Sequence, residues 1–443
     1  MKSWVALVLI LISVQTVADS LFDWRASQGV SLNVLLSEHP LTSSLRSREA
    51  EFEALTGIDV VFKTLPEDQY RVHLVDELSS PVTSVDVFMT GPSSNWEYAR
   101  RGWIEDLQPF VDDRSSTPLS WDFKDFYEGA VNTNRWTGEE FSGAGKGPLY
   151  GIPMTQENYI LYYRKDVLES RGIAVPQTVE QLIETAMRLD GVIFRGKELD
   201  GFVARGHGLW PILITGYGAL LFAYGAVDIE MDGSSGADGE EAILATKAWA
   251  KLMQYTPEDI ADYDWMRARD HFMAGGAVFF LDADNMAPVI MDPVRSSVSG
   301  SVGFALPPEG PAGRASGIWL WALGMNSRSL NKDAAWRFIL WASGKSQMIQ
   351  LVQDGAFNPT RRSVAESSEM EMLTAKWPGY LEVFKQVATL ARWHWNPATR
   401  FSETGNRWAM AVLRIYRDDV DAATEMRAAA KDIDQIMYSE RYQ

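Results

Sequence analysis

The chain has no cysteine among its 443 residues. That excludes disulfides, thiolate metal sites, a catalytic thiol and a lipid-modified cysteine. Histidine is scarce as well: the five residues His39, His73, His207, His271 and His394 are scattered, with no HExxH or paired-ligand spacing, so no zinc site is expected. No GxSxG elbow is present. Gly143-Ala-Gly145-Lys-Gly147 resembles a phosphate loop but lacks the Gly-Lys-Ser/Thr ending and a preceding strand. Asp228-Ile-Glu230-Met-Asp232-Gly233 opens like a calcium loop. Its closing ligand position falls on Gly239, with Glu240 one residue late, so no bidentate carboxylate completes the shell. No metal or cofactor is therefore expected.

Positive charge is in deficit, with 41 Lys and Arg against 59 Asp and Glu for a net charge of −18. Such a surface favours solubility and repels nucleic acid and anionic lipid, so neither is an expected partner. Only one apolar run is long enough to notice, from Trp4 to Val14, and it falls short of the roughly 20 residues that span a bilayer. Lys2 precedes it and Val17-Ala18 follows the polar pair Gln15-Thr16, the layout of a secretory signal peptide cut after Ala18. Residues 1–18 are read as this leader. With no cysteine at the junction, the mature chain from Asp19 is expected free in the periplasm, neither lipid-anchored nor inserted in the membrane.

The remaining sequence alternates strand and helix signals. Ser31-Leu-Asn-Val-Leu-Leu36 predicts a buried strand ending in the polar turn Ser37-Glu38-His39-Pro40. A helix follows over 48–55, with Gly57 as its stop. Ile58 to Phe62 and Ser84 to Met89 predict two more strands, the latter ending at Thr90-Gly91-Pro92. Leu149 to Met154 and Tyr159 to Tyr163 predict extended pieces around Thr155-Gln-Glu-Asn158. Thr178 with Gln181 marks a capping box before a helix, Lys332 to Ala342 predicts another, and the chain beyond Lys376 reads as mostly helical. This is an α/β pattern with a mostly parallel sheet. In such sheets ligands bind beyond the carboxyl ends of the strands, where Glu38, His39, Thr90 and Gly91 fall.

Three stretches resemble the family 1 extracellular solute-binding proteins, the sugar-binding class that includes maltose-type receptors. The first is Tyr150-Gly-Ile-Pro-Met154 through Leu161-Tyr-Tyr-Arg-Lys-Asp166 to Pro176. The second is Phe272-Met-Ala-Gly-Gly-Ala-Val-Phe-Phe280. The third runs from Val302-Gly-Phe-Ala-Leu-Pro-Pro308 through Gly317-Ile-Trp319, then Lys332 to Phe338, and Asn358-Pro-Thr-Arg361. Order and spacing agree across most of 31–420, and Ser37-Glu-His-Pro40 with Trp336 to Ala342 is similar to the polyol receptors. Val278-Phe279 and the bulky Trp319-Leu-Trp321 depart from the family pattern. The resemblance implies the two-lobe type II periplasmic binding fold, with crossing hinge strands and a ligand cleft between lobes. It places the N-terminal lobe at 19–153 and 279–322, and the C-terminal lobe at 154–278 and 323–443. It also implies hinge closure on the ligand and a transient partner, the inner-membrane permease of an ABC importer.

A sugar or polyol offers hydroxyls and weakly apolar C–H faces, which call for aromatic surfaces beside charged or amide groups. The 17 Trp are a high load. Trp96, Trp210 and Trp319 are the aromatic candidates. Glu38, His39, Gly91, Glu157, Asn158, Asp282, Asp284 and Arg361 complete the expected ligand set, with Arg362 as a neighbouring alternative to Arg361. The expected function is capture by a monomer, not catalysis. Two other readings use the same residues: a secreted glycosidase with a carboxylate pair drawn from Glu157, Asp282 and Asp284, and a ligand-sensing partner of a membrane receptor.

Overall fold

The apolar run at 31–36 forms strand β1 (Ser31–Ser37), with Leu32, Val34, Leu35 and Leu36 all buried. Strands β2 (Asp59–Leu65) and β3 (Val87–Thr90) flank it in parallel, Leu32 facing Val60 and Val34 facing Val87. Strand β3 begins three residues later than its hydrophobicity predicts. Just before it, the Asp86 carboxylate accepts the Asn33 N–H (2.9 Å) and the Ser329 hydroxyl (2.6 Å). The helix Glu49–Thr56 stops at Gly57 (φ 69°), whose N–H donates to Glu53 O, a left-handed cap that only glycine takes without strain.

The computed structural model describes residues 21–143, 145–355 and 358–441, so the leader expected over 1–18 lies outside the described residues. The described residues divide into two units. The first holds those within Met1–Gly138, Gly145–Gln156 and Leu320–Leu373; the second holds those within Glu139–Ala144, Glu157–Trp319 and Thr374–Gln443. Expected as two extended pieces, residues 152–164 form one strand, β4 (Ile152–Arg164), and the chain passes from the first unit to the second within it. Its polar middle does not break the strand because the side chains find partners. Gln156 Nε2 donates to Pro359 O at 3.0 Å, and Asn158 Nδ2 donates to Asp284 at 2.8 Å.

The first unit carries the order β2-β1-β3-β9, with β9 (Ile318–Met325) antiparallel to β3. The second carries β8-β4-β7-β6-β5, from β5 (Val192–Phe194), β6 (Lys197–Val203), β7 (Ala277–Ala283) and β8 (Val302–Ala305). Strand β7 lies between β4, to which it is antiparallel, and β6, to which it is parallel. The two units are bounded differently from the lobes expected from the sequence. Residues 279–319, expected in the first lobe, stay in the second unit because β7 is held by ladders on both sides. Residues 323–373, expected in the second lobe, stay in the first because helix Lys332–Ala342 packs there. Phe338 and Trp341 lie 5.4 and 5.2 Å from the Phe52 ring, and Trp336 Nε1 donates to Thr117 Oγ1 at 2.9 Å.

The capping box before helix Val179–Leu189 forms as expected: Thr178 accepts the Gln181 N–H, and Gln181 Oε1 reaches back to the Gln177 N–H. Beyond 376 come helices Tyr380–Leu390, Phe401–Arg417 and Ala422–Arg441, separated by an irregular segment over 391–400. No helix among the described residues is long and apolar enough to cross a membrane.

Gly206, just beyond β6, has its backbone pressed on another: a Cβ there would sit 1.9 Å from Ile260 O. Gly206→Ala should cost about 1–3 kcal/mol through forced backbone displacement, and calorimetry of the purified variant should show the melting temperature lowered by several degrees.

Candidate functional site

In the first unit, the expected residues gather where β1 and β3 end. Glu38 is exposed, and His39 caps helix Pro40–Ser47 by accepting the Leu41 N–H on Nδ1 at 3.1 Å. Burial holds the His39 imidazole at about 4, so it is neutral at physiological pH. Its ring lies 6.2 Å from that of Trp321, and the Arg71 guanidinium lies 5.5 Å from the same Trp321 ring. Gly91 precedes helix Pro92–Arg100 in extended backbone. Trp96, on that helix, is 1% exposed and fills the interior. Asn95 beside it is part of a buried relay that the sequence did not reveal: Thr90 Oγ1 donates to Asn95 Oδ1 (2.7 Å), and Asn95 Nδ2 donates to Asn134 Oδ1 (2.9 Å).

Arg361 is also buried, packed 4.0 Å from the Phe126 ring centre, with Nε on Ser343 O (2.8 Å) and Nη1 on Asp122 O (2.9 Å) and Asp125 (3.2 Å). These contacts give it a structural task of its own, tying 122–126 to the segment after Asn358. Arg362 instead stands 5.1 Å from the Tyr127 ring.

The second unit brings Glu157, Asn158, Asp282 and Asp284 together. Tyr159 lies opposite Ala283 in the antiparallel register of β4 and β7, which sets Asn158 against Asp284. Asp284 takes the Asn158 N–H at 2.9 Å and its side-chain amide at 2.8 Å. Asp282, two residues back, is fully buried and gripped by Arg205, Nε at 2.9 Å and Nη2 at 2.7 Å. Both carboxylates stand at the carboxyl end of β7, the place where an α/β sheet presents its ligand groups. Asn158 Oδ1 is buried with no hydrogen-bond partner. A buried amide oxygen left so costs about 1–3 kcal/mol, which a hydroxyl donor would recover.

The same unit carries an aromatic wall. The Ser316 hydroxyl accepts the Tyr159 N–H (3.0 Å) and donates to Tyr159 O (3.1 Å), tying the start of β9 to the residue after Asn158. Three residues on, Trp319 lies 5.9 Å from Trp210 and 6.4 Å from Trp393, and Phe401 lies 5.7 Å from Trp210 and 5.4 Å from Trp393. Trp210 and Trp319, both aromatic candidates from the sequence, are half-buried. Trp393 and Phe401 join them from a region that reads as helical in the sequence.

The segment carrying Trp393 is irregular yet pinned. His394 stacks on Phe222 at 4.4 Å and donates to Ser316 O, while Trp395 Nε1 donates to Leu213 O at 3.0 Å. Asp228, dismissed above as a calcium ligand, accepts both the backbone and side-chain N–H of Asn396. Glu140 accepts the Thr399 N–H and hydroxyl. Sequence reasoning missed Arg205, Trp393 and Phe401. The first had a signal: a lone cation directly after the apolar end of a strand. The motif Trp393-His-Trp-Asn-Pro397 carried another, its Pro marking a break in the helices. No group of three metal-ligating side chains occurs among the described residues.

The sequence profile of the bacterial extracellular solute-binding proteins matches residues 40–349. The chain is 33% identical over 424 residues to an erythritol/L-threitol-binding protein of Mycolicibacterium smegmatis, covering 93% of this chain and 86% of that one. It is 25% identical over 305 residues to a mannitol-binding protein of Pseudomonas aeruginosa, covering 66% and 64%. The crystal structure of an ABC transporter solute-binding protein from Agrobacterium radiobacter, in complex with ribitol, superposes with a TM-score of 0.75 at 23% identity, covering 92% of this chain and 99% of that one. That likeness shows the fold, the two-lobe type II architecture.

Burial raises the Asp284 carboxyl to about 8. The folded chain therefore retains a proton that the unfolded chain releases near pH 4. This contribution to stability is complete below about pH 4 and is lost as pH rises through about 8. Asp284→Asn, permanently neutral, should lose that slope: between about pH 5 and 8.5 its melting temperature should fall several degrees less than that of the wild type.

Proposed function

The chain belongs to the bacterial extracellular solute-binding proteins, and from that membership we propose that it captures a polyol or sugar for the permease of an ABC importer. The observation that carries the ligand class is the unpartnered, buried Asn158 Oδ1 on β4, in the same unit as the wall of Trp210, Trp319 and Trp393. A hydroxyl satisfies the one and C–H faces suit the other. The relatives named for erythritol, L-threitol and mannitol support the same class.

The chemistry favours capture over turnover. Asp282 has both oxygens on Arg205, and Asp284 has both on Asn158, which fits carboxylates that position donors rather than attack a substrate. The mature chain works as a monomer, free in the periplasm after loss of its leader, and docks on the permease only transiently. Within the first unit, Glu38, His39 and Gly91 are the residues we assign to the ligand on the strength of their place at the ends of β1 and β3.

Calorimetric titration of the mature protein with erythritol, threitol, mannitol, maltose and glutamate tests this. One polyol or sugar should bind at a 1:1 ratio and be recovered unchanged. Trp319→Ala should weaken that binding ~3- to 10-fold, in line with the loss of an aromatic contact of about 0.5–1.5 kcal/mol. Binding of glutamate alone, or consumption of the sugar on incubation, would contradict the proposal.

A further inference from the structure

Arg205 follows β6, whose parallel register with β7 sets Phe202 opposite Phe279 and Val203 opposite Phe280. Two residues further, the same register sets Arg205 opposite Asp282. On the other side of β7, Asn158 falls opposite Asp284. Two donor–carboxylate pairs thus stand side by side across three strands, at spacing i and i+2 along β7. Asp282 accepts from Arg205 Nε and Nη2 and from the Ala283 N–H, Asp284 accepts from the Asn158 N–H and side-chain amide, and each donor side chain keeps one group over. Arg205 makes no hydrogen bond with Nη1 among the described residues, and its side chain remains 11% exposed. Asn158 retains Oδ1, an acceptor without a donor.

One donor beside one acceptor matches two adjacent hydroxyls, the first accepting from Arg205 and the second donating to Asn158. The charge count narrows the ligand further. The positive charge of Arg205 is matched by Asp282 at hydrogen-bond distance, and Glu157 adds its field to the same guanidinium. The cluster therefore offers no net positive charge to a carboxylate ligand.

We propose that Arg205, locked by Asp282, is a ligand-contacting residue that reads a vicinal diol together with Asn158, and that this pair selects uncharged polyols over the corresponding acids. The inference rests on the polyol or sugar reading above. It goes further by assigning a residue and a charge rule.

Titration with erythritol and erythronate tests it, or with mannitol and mannonate where mannitol is the polyol that binds. Wild type should bind the polyol at least ~100-fold more tightly than its acid, since an unpaired buried charge is rejected strongly. Arg205→Lys keeps the charge on Asp282 but loses the planar fork, and should weaken polyol binding ~10- to 100-fold with its melting curve little changed. The doubly neutral variant Arg205→Gln/Asp282→Asn leaves no uncompensated buried charge, so it keeps the test valid if Arg205→Lys folds poorly; it should show the same loss. Full affinity in a folded variant, or an acid bound as tightly as its polyol, would overturn the inference while leaving the functional reading in place. Wild type that binds no polyol or sugar would overturn both.

Discussion

Strand β7 places two carboxylates, Asp282 and Asp284, in a run that is otherwise apolar and wholly buried. An ionised carboxylate in such surroundings is strongly disfavoured unless it is paired or protonated. The two residues meet that demand differently. Asp282 recruits Arg205 from the end of β6, while Asp284 takes donors from Asn158 on β4 and carries its proton up to about pH 8. Because the partners come from both neighbouring strands, satisfying β7 fixes which side chains stand at the sheet's carboxyl end. A core requirement and the proposed binding arrangement are thus met by the same atoms.

The aromatic wall depends on a similar economy of contacts. Residues 391–400 have no regular ladder, so their groups are satisfied by side chains from elsewhere in the second unit: Asp228, Glu140, and the stack of His394 on Phe222. In the proposed role, Trp393 and its neighbours, held in this way, would lose little further freedom on binding, which would lower its entropic cost.

Much of the fold was legible in the sequence because it rests on local patterns. The apolar run of β1, the stop at Gly57 and the capping box at Thr178 each act within a few residues. The lobe boundaries were not legible. Nothing local distinguishes a strand that crosses between units, such as β4, from one enclosed by two ladders, such as β7. The site was read in part for the same reason. Asn158 reads as part of a crossing segment and Asp282 and Asp284 as following a strand, but the pairing of Asp282 with Arg205 spans 77 residues and that of Asp284 with Asn158 spans 126. Trp96 and Trp319 illustrate a further limit: both are large aromatics near Gly or Pro, and only packing separates the buried indole from the half-buried one.

The most direct test of this account is a crystal structure of the mature protein grown with erythritol. The account predicts a ligand hydroxyl about 3 Å from Asn158 Oδ1 and its carbon chain against the ring of Trp319 or Trp393. Erythritol bound elsewhere, with Asn158 Oδ1 still unpartnered, would contradict it.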